Sequence, residues 1–279
     1  MLEKIDFIYI TNQPEIALIA ERYGVSYIMV DMEYIGKEER QKGYDSVKNR
    51  HSFEDIGRIR KCLITSKLLV RCNPIHDESL GYSSSEKEIG EIIECGADII
   101  MLPYFKRLEE VKRFLRIIDN KSVEKWLLLE TPQAVEQIDE ILELDGIDAI
   151  HIGLNDLSLG YHKKFMFELL MDGTVEALCD RLKKKGIPFG FGGVAALGQG
   201  AVPAEYILGE HYRLGSNRAI LSRTFCNYEK VKEISRIDSI FASELEKIRK
   251  FEAELQKKDA RWFEENRKAL EEKVRKVIG

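Results

Sequence analysis

Short apolar runs along this chain alternate with stretches whose apolar residues recur every three to four positions. Runs at Ile5–Ile10, Val25–Val30, Lys67–Cys72, Asp98–Leu102, Trp126–Leu129, Ile147–Ile152, Ile187–Phe191 and Arg218–Leu221 have the length and aliphatic content of buried strands. Helical spacing marks Pro14–Arg22, Glu54–Cys62, Glu86–Cys95, Leu108–Ile118, Gly173–Lys185 and Ala204–Arg213. Eight strand-helix units in about 235 residues predict an α/β fold, a closed (β/α)8 TIM barrel, with function on the loops that follow the strands. A doubly wound open sheet has the same alternation and remains the alternative, because periodicity does not encode closure.

Beyond the eighth strand the pattern changes. From Asp238 to Gly279 there is no proline and no glycine before the last residue, and Phe241, Leu245, Ile248, Phe251, Leu255 and Trp262 recur at helical spacing. We therefore divide the chain into a barrel, residues 1–237, and a long C-terminal helical extension, residues 238–279. An unbroken helix of that length would run about 60 Å, further than one barrel layer, so part of its apolar stripe needs a partner. A homo-oligomer is expected, with a helix folded back on its own barrel as the alternative.

Composition narrows the classes. At 279 residues with 44% apolar content the chain can bury a sizeable core. A net charge of −5 argues against a generic nucleic-acid binder, and no apolar run is long enough to span a bilayer. The first residues, MLEKIDFIYI, lack the basic and apolar regions of a secretion signal, so a cytoplasmic location is expected. Five scattered cysteines show no CxxC spacing, and His51, His76, His151, His162 and His211 show no HxxxH spacing, so a zinc or histidine-built metal centre is not expected.

Candidate chemistry falls at strand ends. Glu130 follows the run Trp126–Leu129, with Thr131 and Pro132 placed as helix cap and first helical residue, and Asp156 lies just past Ile147–Ile152. If the two strands are parallel neighbours, both carboxylates emerge at one edge, and two hard oxygen ligands with open positions suit Mg2+ or Mn2+. The plainer alternative is a helix-capping Asp156 and an ordinary strand-end Glu130. Asp31-Met32-Glu33-Tyr34 and Arg71 close two other strands, and His51 ends a polar loop, residues 35–52, with five Lys or Arg between Lys37 and Arg50. The glycine-rich stretch Gly190–Gly200, with Gly192 and Gly193, has backbone amides suited to a carboxylate or phosphate, or else is a tight crossing over the barrel.

These motifs, in this order, resemble the HpcH/HpaI aldolase and citrate lyase family. The likeness runs over about residues 5–225 and rests on Asp31-x-Glu33, Arg71, Gly96-Ala97-Asp98 through Leu102-Pro103, Glu130-Thr131 and Gly153-Leu154-Asn155-Asp156-Leu157-Ser158. It implies a metal-dependent carbon-carbon lyase acting on a 2-keto acid, with Glu130 and Asp156 as metal ligands and Arg71 facing the keto oxygen. Asp31, Tyr34 and His51 are the further catalytic candidates, and Glu33, Gly153, Asn155, Gly192 and Gly193 the substrate-binding ones. Two departures stand out: Leu154 replaces the usual proline, and Tyr34 stands where the family has its histidine base. A phenol of ordinary pKa near 10 is a poor base at neutral pH. Lys37 and Arg40, after the acidic pair, resemble instead members that cleave acyl-CoA esters of the malyl- or citryl-CoA type. A barrel that binds a phosphoenolpyruvate-like or sugar-acid ligand without lyase activity is the third alternative.

Overall fold

The computed structural model describes residues 3–36, 51–79, 81–119 and 121–279. Eight strands, β1 Asp6–Ile10, β2 Tyr27–Asp31, β3 Lys67–Arg71, β4 Ile99–Leu102, β5 Glu124–Leu129, β6 Ala149–Ile152, β7 Phe189–Val194 and β8 Arg218–Leu221, pair in chain order into a closed barrel. Every pairing is parallel, and β8 returns to β1, so no sheet edge is left open. This is the TIM barrel that the alternation predicts, and the open sheet is excluded.

Alternation along each strand sorts the side chains into two cores. Ile8, Tyr27, Met29, Leu69, Ile99, Met101, Trp126, Leu128 and Ala149 fill the barrel interior, and a larger cluster lies between the strands and the surrounding helices. Residues two positions beyond an interior residue face the same way. Asp31 follows Met29, Arg71 follows Leu69, Glu130 follows Leu128 and His151 follows Ala149, so the fold stacks four polar side chains above an apolar plug. Edge-to-face packing of Tyr27 on Trp126, 4.9 Å between centroids, closes that plug from below.

Two local readings of the sequence need correction. Gly192 and Gly193 lie within β7 and not in a loop. The stretch holds a register shift between Gly190 and Gly193, and glycine is required there by close approach: a Cβ on Gly190 would lie 2.4 Å from the Arg218 carbonyl oxygen. Gly192 has φ +54°, which also favours glycine.

The tail is not one long helix. It forms two, Ile234–Leu255 and Ala260–Ile278, separated by a turn in which the Asp259 carboxylate caps the second by accepting from the Trp262 N–H (2.9 Å). Both fold back on their own barrel. Phe241 is fully buried against Tyr9 and Phe225, with ring centroids 4.9 and 5.2 Å away, and Glu252 accepts the Ile5 N–H (2.7 Å) beside the first strand. Asn266 on the second helix donates to the Tyr206 carbonyl (3.1 Å). Most of the stripe thus finds its cover within one chain. The basic residues from Lys37 to Arg50, on which the acyl-CoA alternative leaned, lie outside the described residues.

Candidate active site

A cavity of about 320 Å3 sits at the carboxyl end of the barrel, a volume suited to a small metabolite. Asp31, Arg71, Glu130, Gly153, Asn155, Asp156, Gly192 and Gly193 all line it. Glu33, Tyr34 and His51 do not.

Strand register explains the first pair. Asp31 and Arg71 are opposite each other across β2 and β3, and their side chains meet in a bidentate fork, Nε to Oδ1 and Nη2 to Oδ2, both 2.8 Å. Glu33 Oε2 lies 3.3 Å from Nη1. Burial opposes the charge on Arg71, but Asp31, Glu33 and then Glu130 more than offset it and hold the guanidinium well above its ordinary pKa. A guanidinium has five N–H donors; Asp31 accepts two of them, Glu33 faces a third nitrogen as an ion pair, and Arg71 lines the cavity.

His51 and Tyr34 brace this pair from behind. The Asp31 N–H donates to His51 Nδ1 (3.0 Å), and His51 is buried. The Tyr34 hydroxyl donates to the His51 carbonyl, and its own N–H donates to Asn73 Oδ1 (2.8 Å). Neither side chain reaches the cavity wall.

The opposite wall carries the other two acids. β5 and β6 are neighbours with Leu129 level with Ile152, and the Gly153 N–H donates to the Leu129 carbonyl (3.0 Å), so both strands end together. Glu130 is buried, and its Oε1 accepts the N–H of Tyr104 (3.0 Å), a non-glycine residue held at φ +48°. Backbone strain of this kind is found where a loop is held for a purpose, here to aim one amide at Glu130. Gly153 is equally constrained: a Cβ there would come 2.7 Å from Glu130 Oε2. Thr131 caps the next helix by accepting from the Ala134 N–H, as its place before Pro132 predicts.

Glu130 and Asp156 present carboxylates to one cavity, which is the donor chemistry a hard divalent cation takes. Among the described residues no group of three or more His, Cys, Asp or Glu is arranged to hold a metal. Water and ligand oxygens would complete the shell, as suits Mg2+, which keeps several waters.

The cavity also contains residues that sequence reasoning passed over. His151 lies in its wall, fully buried, and is held neutral by burial, with its pKa lowered to about 4. On the strand Ala149–Ile152 it is the one ionisable residue, and the alternation with Ala149 and Gly153 is the signal that places it inside the barrel. Tyr9 and the segment after β8, with Ser222, Arg223, Asn227 and Tyr228, form the remaining side. No periodicity or motif marks that segment.

Fold and site together define a parallel (β/α)8 barrel with an acidic and arginine-bearing site at its carboxyl end. The chain belongs to the HpcH/HpaI aldolase/citrate lyase family, whose model matches residues 7–187. It is thus an aldolase/citrate lyase-type enzyme. Solved structures that share the fold include an HpcH/HpaI aldolase from Desulfitobacterium hafniense DCB-2, with 18% identity, 84% of this chain and 93% of that chain covered and a TM-score of 0.59. A family member from Burkholderia cenocepacia J2315 has 11% identity, 84% and 95% coverage and a TM-score of 0.61. The citrate synthase SbnG has 13% identity, 84% and 92% coverage and a TM-score of 0.61. No curated protein sequence matches the chain. Among the described residues no helix is long and apolar enough to cross a membrane.

Proposed function

We propose that this enzyme is a divalent-metal-dependent carbon-carbon lyase or aldolase acting on a 2-keto acid. The observation that carries the reading is one cavity lined on one side by Glu130 and Asp156 and on the other by a guanidinium already fixed by Asp31 and Glu33. Glu130 and Asp156 would hold Mg2+ or Mn2+, which would supply Lewis acidity toward the substrate. Arg71 offers guanidinium donors not taken by Asp31 to the oxygen on which negative charge develops as the carbon-carbon bond breaks. Because Asp31 and Glu33 fix the fork beforehand, little reorganisation accompanies the reaction. Asn155, Gly192 and Gly193 line the same cavity and are the residues assigned to the substrate carboxylate.

Tyr34 and His51 act in this reading by positioning. They hold the end of β2, and with it Asp31, at the height where it meets Arg71. The proton chemistry is accordingly assigned to neither.

The metal assignment is tested by calorimetric titration with Mn2+. Glu130→Gln and Asp156→Asn are each expected to abolish measurable binding. Gly153→Ala, which forces the Glu130 carboxylate aside, is expected to weaken it roughly 10- to 100-fold, the range seen when a ligand loses its support. Wild-type affinity in either acid variant would remove the site.

A further inference from the structure

His151 is the one histidine among the described residues that line the cavity, and its two ring nitrogens are not equivalent. Nε2 lies 3.2 Å from the Gly192 carbonyl oxygen, which can only accept, so the proton resides on Nε2 and Nδ1 carries a lone pair. Nδ1 is buried and has no hydrogen-bond partner. A buried acceptor left unpaired is costly, and since the ring that carries it lines the cavity, the natural relief is a hydroxyl group brought by a ligand.

The remaining surroundings point the same way. Arg71 and Arg218 both disfavour a positive charge on the ring, so His151 meets a ligand as a neutral acceptor and discriminates against another acceptor such as a carboxylate. The other buried histidine with an unpaired nitrogen, His211, does not share this role. Its ring stacks on Phe191 at 3.9 Å, its Nδ1 lies 2.7 Å from Ser216 Oγ, and it is not in the cavity wall.

We propose that His151 Nδ1 is a specificity-determining acceptor for a hydroxyl on the substrate chain, selecting hydroxylated acids over their deoxy counterparts. The inference rests on the 2-keto acid reading above and adds to it which part of the ligand His151 recognises. It assigns His151 a positioning role and no proton transfer. A site built to accept from a hydroxyl rejects the analogue without one, because the acceptor is then left buried and unpaired.

Calorimetry in Mg2+ with three probes tests it: pyruvate, 2,4-dihydroxybutanoate and 2-hydroxybutanoate, the last two lacking the 2-keto group that cleavage needs. The wild-type protein is expected to prefer the dihydroxy acid to 2-hydroxybutanoate by about tenfold. His151→Phe should bring that ratio to about one. His151→Asn, whose amide oxygen can stand where Nδ1 stood, should keep most of it. A wild-type ratio near one, or a folded His151→Phe that retains the full preference, overturns the assignment. Failure of the wild-type protein to bind even pyruvate overturns the 2-keto acid reading as well, whereas pyruvate binding without a hydroxyl preference overturns the His151 assignment alone. Should His151→Phe fail to fold, the 15N resonance of Nδ1 in the wild-type protein decides. It should shift with the dihydroxy acid and stay with 2-hydroxybutanoate, and an unmoved resonance overturns the proposal.

Discussion

Arg71→Lys is expected to lower kcat/KM for oxaloacetate decarboxylation, or for any cleavage that passes through the same enolate, by roughly 100- to 1000-fold, the effect of losing one fixed donor to a developing oxyanion. The chemistry of the side chains decides this. Arg71 donates from Nε and Nη2 to Asp31 and faces Glu33 through Nη1, and this fork holds the guanidinium plane in one orientation at the cavity. An ammonium keeps the charge but rotates freely and offers three donors from one atom, so it satisfies the two carboxylates or the substrate and not both in fixed positions. Charge is conserved, and the folded state should survive, because two buried acids still face a cation. Arg71→Ala is the harsher change and the less informative one, since it removes the guanidinium that the buried Asp31 and Glu33 both face and is expected to cost stability as well as turnover. Steady-state kinetics with denaturant melts on the same preparations separates the two effects. Turnover of Arg71→Lys within threefold of wild type would return Arg71 to a structural role.

Mild acid is expected to remove on the order of 5 kcal/mol of the stability that two buried histidines contribute, between about pH 6.5 and about pH 4.5. Burial pushes His151 down to about 4 and His211 down to about 3, from an ordinary 6.5. For each, the folded pKa lies below the unfolded one, so within this window the unfolded chain binds a proton that the folded chain refuses. Stability therefore falls as pH falls, by about 1.4 kcal/mol per unit and per histidine, and is fully present above the unfolded pKa. Glu88 and Glu210 work against this, since burial raises both and their folded carboxyls take up protons earlier than the unfolded ones. The histidine contribution is accordingly read as a difference between proteins. Urea denaturation at pH 7, 6 and 5 should show a slope in the wild type that shrinks by about one proton in His211→Asn. An identical slope in both would mean that His211 is protonated in the folded state.

The sequence showed the barrel and much of its site because both are written as strand ends. Glu130 and Asp156 each follow an aliphatic run, and adjacent parallel strands in a barrel bring such residues together without further information. The pairing of Asp31 with Arg71 needed the register of β2 against β3, which no pattern in the chain encodes. Gly192 and Gly193 look like a loop because glycine usually marks one, whereas here the backbone of β8 excludes any Cβ at Gly190. His51 looks like a loop residue able to reach a site, yet its ring is turned to the backbone of β2. In the tail the absence of glycine and proline suggested continuity, and the signal that breaks it is Asp259, a capping residue in an otherwise helical run. His151 was hidden by its isolation. A lone histidine in an apolar strand carries no spacing signature, and only the closed barrel shows that its ring shares a cavity with Arg71 and Glu130.

Enolate formation at this cavity is measured most directly by exchange of the methyl protons of pyruvate in D2O, followed by NMR, which needs no knowledge of the full substrate. Exchange that requires Mg2+ or Mn2+, and that is lost in Glu130→Gln and strongly slowed in Arg71→Lys, is the predicted result. Pyruvate that binds with metal present but whose methyl protons do not exchange, or exchange that persists in Glu130→Gln, would contradict it.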